Sequence, residues 1–284
     1  MTSRPTPATW EAAVEWLRGQ PDHASLVRDA YYDDPLLDAA NRFLSSGEWA
    51  AVRQLLPASR GNALDVGAGR GIASYALAHE GFHVTALEPD ASALVGSAAI
   101  RSLASTAGLA IEVAEGYSEQ LPCADGVFDL VFARAVLHHT RDLGVACKEF
   151  FRVLRPGGLL LAVREHVLSR NEHLPTFLEQ HPLHRLYGGE HAFVLDAYLG
   201  ALEGAGFCPI RVLTPLSSPI NFAPRDTNAM RREVADRLTL RLPFMRSIAR
   251  GALAAPGVWS IFRPLFDWLD HRPGRLYSFV ALKP

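Results

Sequence analysis

The stretch LDVGAGRG, residues 64–71, places three glycines within five positions, directly after an aspartate and a short apolar run. Glycine adopts positive φ angles at little cost and, because it has no Cβ, lets a ligand lie against the backbone. The residues that follow, IASYALAHEG, read as a helix, and a helix start offers N–H groups and a positive dipole end. The stretch therefore predicts a strand, a tight turn and a helix that together hold a nucleotide-like ligand carrying a negative charge.

The segments around this turn alternate between strand-like and helical patterns. The strand-like runs are NALDV, HVTALE, IEVAEG, FDLVFA and LLLAVREHV, followed later by PIRVLT and a closing RLYSFVALKP. Strands that alternate with helices form right-handed crossovers, which produce a parallel sheet with helices on both faces. In such a sheet, ligands bind at the carboxyl ends of the strands.

The helix ends and the domain organisation follow from caps and composition. Gly81 closes the first helix of the alternating region, Asp90 caps DASALVGSAAIRSLASTAG, LGVACKEFFRVLR ends at residues 156–158, and Gly206 ends AYLGALEGAGF. Apolar positions at helical spacing before residue 57 predict two or three further helices. We expect a helical N-terminal extension or lid over residues 1–60 and one domain over 61–284, with insertions at about 166–195 and 215–274.

Composition excludes several classes of protein. A net charge of -2 over 284 residues provides no overall basic field, so we expect no nucleic-acid partner. The three cysteines lie far apart, which argues against a zinc site or a disulfide framework and suits the cytoplasm. No stretch approaches the roughly 18 consecutive apolar residues of a transmembrane helix, nor does a signal-peptide core follow the first residues. Peripheral contact with a membrane stays open.

An acidic residue at the end of the second strand is the second signal for a ligand. Glu88 lies about 20 positions beyond the glycine turn, where a carboxylate accepts hydrogen bonds from ribose hydroxyls. Each such bond contributes roughly 1.5–3 kcal/mol. A turn that merely packs a helix on a strand is the plain alternative. NAD is another, although the spacing here is G-x-G-x-G rather than the dinucleotide pattern G-x-G-x-x-G.

Taken in order, these motifs resemble the class I S-adenosylmethionine-dependent methyltransferases, from about residue 62 to residue 162 and more loosely through AYLGALEGAGF and the last strand. LDVGAGRG is similar to the first motif of the family, and Glu88 stands where its ribose-binding acid stands. EGYSEQLPCADGVFDLVFARAVLHH is similar to the stretch that runs past the adenine into the fourth strand. EFFRVLRPGGLLLAV resembles the helix, turn and fifth strand of the type 11 group.

The resemblance implies a Rossmann-like α/β fold: a mostly parallel seven-stranded sheet with an antiparallel last strand and a helical insertion before it. It also implies S-adenosyl-L-methionine as the cofactor, with the ribose on Glu88 and the methionyl end on Asp65 and the glycine turn. Many relatives have an aspartate where this chain has Tyr117, so the adenine contact comes either from Ser118 or from stacking on Tyr117. The expected cofactor contacts are Asp65, Gly67, Gly69, Gly71, Glu88, Tyr117, Ser118 and Arg134.

Methyl transfer mainly requires that a nucleophile be aligned with the methyl group, so few catalytic residues are needed. A general base matters when the nucleophile is a hydroxyl. His166, directly after the fifth strand, is the expected base, and its neighbour Glu165 takes that place if the strand alternation turns His166 away. His139 is a further candidate, although it and His138 resemble an LHH sequence that often only supports the site.

Two insertions carry the remaining signals. The first contains several histidines, which raises a metal hypothesis, but without a compact helical H-x-x-x-H pair we expect no metal and a polar acceptor pocket instead. The second, residues 215–274, mixes Arg with Leu, Phe and Trp, and is either a membrane-surface helix or a buried helical cover, of which the cover is expected. The pocket residues of the first insertion are His173, His181, His184, Tyr187, Glu190 and His191.

The sequence therefore predicts methyl transfer from S-adenosyl-L-methionine to a small-molecule or carbohydrate-type acceptor, lipid-linked acceptors included, at a hydroxyl group. An NAD-dependent oxidoreductase is the alternative from another class of enzyme, because a glycine turn followed by Glu88 also serves a dinucleotide. A non-catalytic binding module with a methyltransferase-like fold is the third hypothesis, and the departure at Tyr117 supports it.

Overall fold

The computed structural model describes residues 9–180, 182–187 and 191–284. The predictions for His181 and Glu190 therefore lie outside the described residues. The strands are β1 (Asn62–Val66), β2 (His83–Leu87), β3 (Ile111–Ala114), β4 (Phe128–Arg134), β5 (Leu154–Leu168), β6 (Phe193–Val194), β7 (Ile210–Leu213) and β8 (Arg275–Leu282).

The described strands form one sheet in the order β3-β2-β1-β4-β5-β8-β7, with the short β6 paired to β5. Strands β1 to β5 run parallel, whereas β8 lies antiparallel between β5 and β7. The predicted Rossmann-like α/β fold with an antiparallel last strand is confirmed. The strand order reverses between β1 and β4, and in open α/β sheets this switch point opens a crevice at the carboxyl ends of the strands. The glycine turn leaves β1 at that crevice.

The two faces of the sheet bury different side chains of the same strands. On β4, Val131 and Ala133 belong to one core cluster, while Leu130 and Phe132 belong to the other. Alternate residues of a strand point to opposite faces, so the continuous apolar run LVFA, residues 130–133, serves both cores at once. This double burial fixes where the polar residues at the strand end emerge.

Helices cover both faces of the sheet, and further helices precede the first strand and form the two insertions. The N-terminal region forms four helices rather than two or three: α1 (Trp10–Arg18), α2 (Ala24–Asp29), α3 (Leu36–Leu44) and α4 (Gly47–Arg53). The helices that alternate with the strands are α5 (Ile72–His79), α6 (Ser97–Ala107), α7 (Leu143–Val153) and α10 (Leu195–Ala205). The insertions contribute α8 (Leu174–Gln180), α9 (Pro182–Tyr187), α11 (Pro219–Phe222), α12 (Thr227–Leu238), α13 (Arg246–Ala254) and α14 (Val258–Leu269).

Two predicted helix boundaries were wrong. Asp90 does not cap α6: its carboxylate accepts from Ser92 N at 2.7 Å and its carbonyl from Ser97 N at 2.7 Å, which closes a loop before the helix begins. α7 ends at Val153, ahead of residues 156–158, because Leu154 already pairs with Phe128 of β4. Local cap chemistry favours a longer helix in both cases. Hydrogen bonds within a local loop override it before α6, and strand pairing overrides it after α7.

The second insertion departs from the predicted buried cover. α11 does pack on α4 and on strands β5 and β8. The outward sides of α12, α13 and α14 expose large apolar side chains, so the expectation of a fully buried cover was wrong for this part. Within the described ranges, no helix is long and apolar enough to cross a membrane.

Candidate functional site

The glycine turn at the end of β1 has one open position and two packed ones. Gly67, Gly69 and Gly71 have φ angles of +62°, +54° and +82°. A Cβ on Gly67 would lie 2.7 Å from a methyl group of Val136, and one on Gly71 would lie 3.1 Å from Ile100. A Cβ on Gly69 would come no closer than 3.9 Å to any atom. Gly69 therefore faces open space, where a ligand can lie against the backbone.

Glu88 closes the other side of this space from the end of β2. Its carboxylate is buried and accepts from Gly69 N at 2.7 Å and from Asp90 N at 3.0 Å. Burial raises the pKa of this carboxyl, although the two backbone N–H groups partly offset the effect. The acid predicted from its position after the second strand thus directly contacts the open glycine.

We expect Glu88→Ala to weaken S-adenosyl-L-methionine binding at least tenfold, because the change removes charged hydrogen bonds worth more than ~1.4 kcal/mol. Isothermal titration calorimetry measures the effect. Glu112→Ala, on the exposed side of β3, removes a carboxylate away from the turn and should bind the cofactor normally. Unchanged affinity in a folded Glu88→Ala protein would mean that the ribose site lies elsewhere.

Asp65, the acidic residue of β1, is buried directly before the glycine turn. Its carboxylate accepts a hydrogen bond from Ser74 Oγ at 2.5 Å. Burial is the main cause that raises the pKa of Asp65 to about 7, with a smaller contribution from the nearby Glu88 carboxylate. A group that ionises near neutrality can respond to a cationic ligand, which favours the carboxylate form.

Cofactor affinity should therefore depend on pH through Asp65. Below pH 7 the ligand-free protein holds a proton on this carboxyl, and an ammonium group of the cofactor must displace that proton. We expect affinity to fall as the pH drops from 8 to 6, by up to about tenfold per pH unit below the pKa. Asp65→Asn should bind more weakly at pH 8 and show a flatter profile. A wild-type profile in this variant would assign the pH dependence to another group.

The region around Tyr117 contains both residues that the sequence indicates for the adenine contact. The Tyr117 side chain is 59% exposed, and the Arg141 guanidinium lies 5.3 Å from its ring centroid. Ser118 Oγ donates to Glu119 at 2.9 Å, so this hydroxyl already has a partner. Tyr117, Arg141 and Val145 line an open cavity of about 490 Å³. A hydroxyl that donates can still accept from an amine, so contact with Ser118 and stacking on Tyr117 both stay predictions for the adenine.

Arg70, inside the glycine turn, fastens the N-terminal helices over the cleft. Its guanidinium donates to Tyr31 O at 3.0 Å and Asp33 O at 2.8 Å, and it pairs with Asp34. Trp10 of α1 packs edge-on against His139, with ring centroids 6.2 Å apart. The extension therefore reaches from the glycine turn to the loop after β4.

Glu165 is a buried support of the loop that follows β4. Its side chain is fully buried and accepts from Val136 N at 3.0 Å, His138 N at 3.2 Å and His138 Nδ1 at 2.7 Å. Burial raises the pKa of Glu165 to about 7 and lowers the pKa of His138 to about 3. These contacts give Glu165 a positioning role toward the loop that carries His138 and His139.

His166 lies at the same strand end, and its ring faces the first insertion. Its Nδ1 is 2.9 Å from Gly274 O, which fixes the proton on Nδ1 and leaves Nε2 as the basic nitrogen of the neutral ring. The ring centroid lies 4.8 Å from that of His138 and 5.7 Å from that of His184. The His138 ring thus lies between those of His166 and His139, whose centroid is 4.3 Å away.

Arg134, another predicted cofactor contact, is held by a residue that the sequence did not indicate. Its guanidinium makes two hydrogen bonds to the buried carboxylate of Glu48, at 2.7 and 3.1 Å. Glu48 also lies 3.7 Å from the guanidinium of Arg164, which lies within β5. Glu48 belongs to a short helix with ordinary surface composition, so no local signal marks it. The cofactor role of Arg134 stays a prediction.

Residues with a strained backbone lie in or next to the cluster formed by Glu48, Arg134 and Arg164. The non-glycine residues with positive φ in the described chain are Tyr31, Ala135 and Arg164, at +61°, +58° and +61°. The Tyr31 ring lies 5.7 Å from the Arg134 guanidinium, and Ala135 directly follows Arg134. Such residues persist where the surroundings over-determine them, typically at functional sites. The described residues contain no group of three or more His, Cys, Asp or Glu suited to a metal ion.

Known proteins match the same part of the chain that carries the cleft. A family model described as a methyltransferase domain matches residues 64–162. A ubiquinone biosynthesis O-methyltransferase of Methylobacterium nodulans is 30% identical over 172 residues, which cover 59% of this chain and 68% of the relative. A sarcosine/dimethylglycine N-methyltransferase of Halorhodospira halochloris is 34% identical over 149 residues, covering 51% of this chain and 50% of the relative.

A solved structure shows the same fold over almost the whole chain. Phosphoethanolamine N-methyltransferase 2 of Haemonchus contortus, in complex with S-adenosylhomocysteine, aligns with a TM-score of 0.56 at 19% identity. The alignment covers 99% of this chain and 61% of that protein. The chain spans only 26% and 61% of the length of two other curated relatives that it matches.

Proposed function

Because this chain belongs to the class I S-adenosylmethionine-dependent methyltransferases, we propose that it transfers the cofactor's methyl group to a hydroxyl of a small-molecule or carbohydrate-type acceptor, lipid-linked acceptors included. The cofactor is S-adenosyl-L-methionine, which the family uses. Family membership also makes the NAD-dependent alternative the weaker hypothesis.

The residues at the end of β1 and β2 fit this cofactor. The space above Gly69, which a Cβ would fill, provides room for the methionyl end close to the Asp65 carboxylate. Glu88 presents a buried carboxylate toward the same space, where ribose hydroxyls would donate to it. When bound, the cofactor supplies an electrophilic methyl group on a sulfonium. The protein has to hold the acceptor in line with that methyl group and exclude water.

The observation that supports the hydroxyl proposal is the tautomer of the His166 ring. Its Nδ1 donates to Gly274 O, so the neutral ring carries its proton on Nδ1 and its lone pair on Nε2. Amine and thiolate nucleophiles need no strong base, whereas a poorly acidic hydroxyl gains ~10²–10⁴ in rate from one. In this proposal, His166 Nε2 accepts the hydroxyl proton, and Glu165 and His138 hold the neighbouring loop in place.

His139 has a separate part in the proposal. It is exposed at the end of β4 and contacts Trp10 of α1, so it lines the space between the lid and the strand ends. We assign it to acceptor binding and His166 to proton transfer. The aromatic contact between Trp10 and Tyr187, with centroids 5.3 Å apart, closes the same space from the first insertion.

A labelled-methyl screen tests the proposed function. The purified chain is incubated with methyl-labelled S-adenosyl-L-methionine and metabolite, glycan or lipid extracts, and labelled products are identified by mass spectrometry. We expect one product class, labelled at an oxygen, and none with the Gly69→Val protein as the matched control. Label on nitrogen or carbon would contradict the hydroxyl proposal. A chain that binds the cofactor and labels nothing would favour the non-catalytic binding module.

A further inference from the structure

Exposed apolar side chains concentrate in one part of the second insertion. Of the fifteen large apolar side chains that are exposed in the described chain, eleven lie between Leu238 and Leu269. They include Phe244 at 77% exposure and Trp268 at 69%. Exposed apolar residues scattered singly need no explanation, but a concentration of this size marks an interaction surface.

Helix α14 carries the most regular part of this surface. Its exposed apolar residues are Ile261, Phe262, Leu265, Trp268 and Leu269. Their spacing of i, i+1, i+4, i+7 and i+8 places them along one face of the helix. The helix therefore presents a continuous apolar stripe, here named the α14 stripe, toward solvent.

The opposite face of α14 is firmly seated on the protein. Trp259 is buried against Leu216, Phe222 and Met230. The buried carboxylate of Asp267 accepts from Thr214 Oγ1 at 2.6 Å and from Leu216 N at 2.9 Å. The orientation of the helix is thus fixed by its own core contacts, and the α14 stripe is the outward face of a docked helix.

The same segment is strongly basic in a chain whose net charge is -2. Residues 227–272 contain eight arginines, no lysine and four acidic residues. The acids are already engaged: Glu233 pairs with Arg237, Asp236 with Arg250 at 2.6 Å, Asp270 with Arg272, and Asp267 is buried. The segment therefore presents a surplus of four positive charges beside its apolar surface.

We propose that the α14 stripe docks on an anionic lipid bilayer. A helix with Trp, Phe and Leu on its outer face and arginines around it has the chemistry of one that lies in the membrane interface. Anionic headgroups complement the arginine surplus. A second copy of the chain fits less well, because a symmetric interface would bring a surplus of four positive charges against an equal surplus. The proposal concerns location and is independent of the acceptor.

Vesicle co-sedimentation of the full chain tests the proposal without turnover. We expect at least tenfold tighter binding to phosphatidylcholine vesicles containing phosphatidylglycerol than to phosphatidylcholine alone, weakened by salt. Phe262→Asp/Trp268→Asp should reduce binding at least tenfold. Val127→Asp/Ala110→Asp adds the same charge at exposed positions elsewhere and should bind like the parent. Retained cofactor affinity verifies that each variant is folded.

A second variant tests the electrostatic part separately. Arg232→Gln/Arg241→Gln removes two exposed charges and leaves the apolar stripe intact, so it should lose at least fivefold on anionic vesicles only. Equal binding to both vesicle types, or an unchanged Phe262→Asp/Trp268→Asp protein, would overturn the proposal. A dimer of the parent protein, seen by size-exclusion chromatography, would also overturn it if Phe262→Asp/Trp268→Asp is a monomer and neither protein binds vesicles.

Discussion

Gly69→Val is expected to abolish S-adenosyl-L-methionine binding, with a loss of affinity of at least about a hundredfold, or ~2.7 kcal/mol. Two causes act together. Gly69 has a φ of +54°, which a β-branched residue resists, and its Cβ direction opens into the space assigned to the methionyl end. Calorimetry measures the binding, and circular dichroism verifies that the fold is retained.

Gly108→Val separates the two causes. Gly108 has a φ of +67° at the end of α6, and a Cβ there meets nothing within 4 Å. This variant therefore carries similar backbone strain without blocking the cleft, and should bind the cofactor normally. If Gly69→Val also binds like the wild type, the turn is only a packing device.

His166→Ala should lower kcat by roughly 10² or more while cofactor affinity stays nearly unchanged, because the loss falls on the transition state. In the proposed function, His166 takes the hydroxyl proton, and its hydrogen bond from Nδ1 to Gly274 O sets the tautomer of the neutral ring. Steady-state kinetics with one accepted substrate measures it. His79→Ala, an exposed histidine on α5, is the matched control and should leave kcat unchanged.

Glu165 distinguishes positioning from proton transfer at the same strand end. Glu165→Gln keeps an acceptor for Val136 N, so we expect a smaller loss of kcat than for His166→Ala and a loss of thermal stability. The opposite order would make Glu165 the base. A raised KM with an intact kcat in His166→Ala would reduce His166 to a binding residue. If neither variant loses tenfold in kcat, proximity alone drives the reaction.

Much of the fold was predictable because local and global signals agree in the first two-thirds of the chain. The run LVFA, residues 130–133, is apolar on both faces, which is typical of a strand covered on both sides, and LDVGAGRG combines a strand end with a helix start. The start of α6 was not predictable. Asp90 has ideal cap chemistry, but its carboxylate and carbonyl accept from Ser92 N and Ser97 N in a loop that ends before the helix begins.

The partners of the site residues depend on contacts that no spacing reveals. Arg134 emerges at a strand end, where the sequence indicates a ligand contact, yet it pairs with Glu48, 86 positions away in the chain. Alternation along β5 could not decide between Glu165 and His166, because Arg164 has a positive φ and the β5–β8 register shifts between Ala162 and Glu165. The side-chain alternation expected of a regular strand does not hold through such an irregularity.

The second insertion shows how composition alone leaves an interface undetermined. Arg, Leu, Phe and Trp at helical spacing suit both a buried cover and a membrane-surface helix. The packing of Trp259 and Asp267 on one side of α14 decides which apolar residues face inward. The apolar residues that face solvent can be identified only from this packing.

A crystal structure of the complex with S-adenosylhomocysteine tests the central claim most directly, namely that the crevice at the carboxyl end of β1, beside Glu88 at the end of β2, holds the cofactor. The account predicts both ribose hydroxyls within about 2.5–3.2 Å of the Glu88 carboxylate and the homocysteine end in the space above Gly69. A ligand bound elsewhere, or bound in this cleft with its ribose away from Glu88, would contradict it.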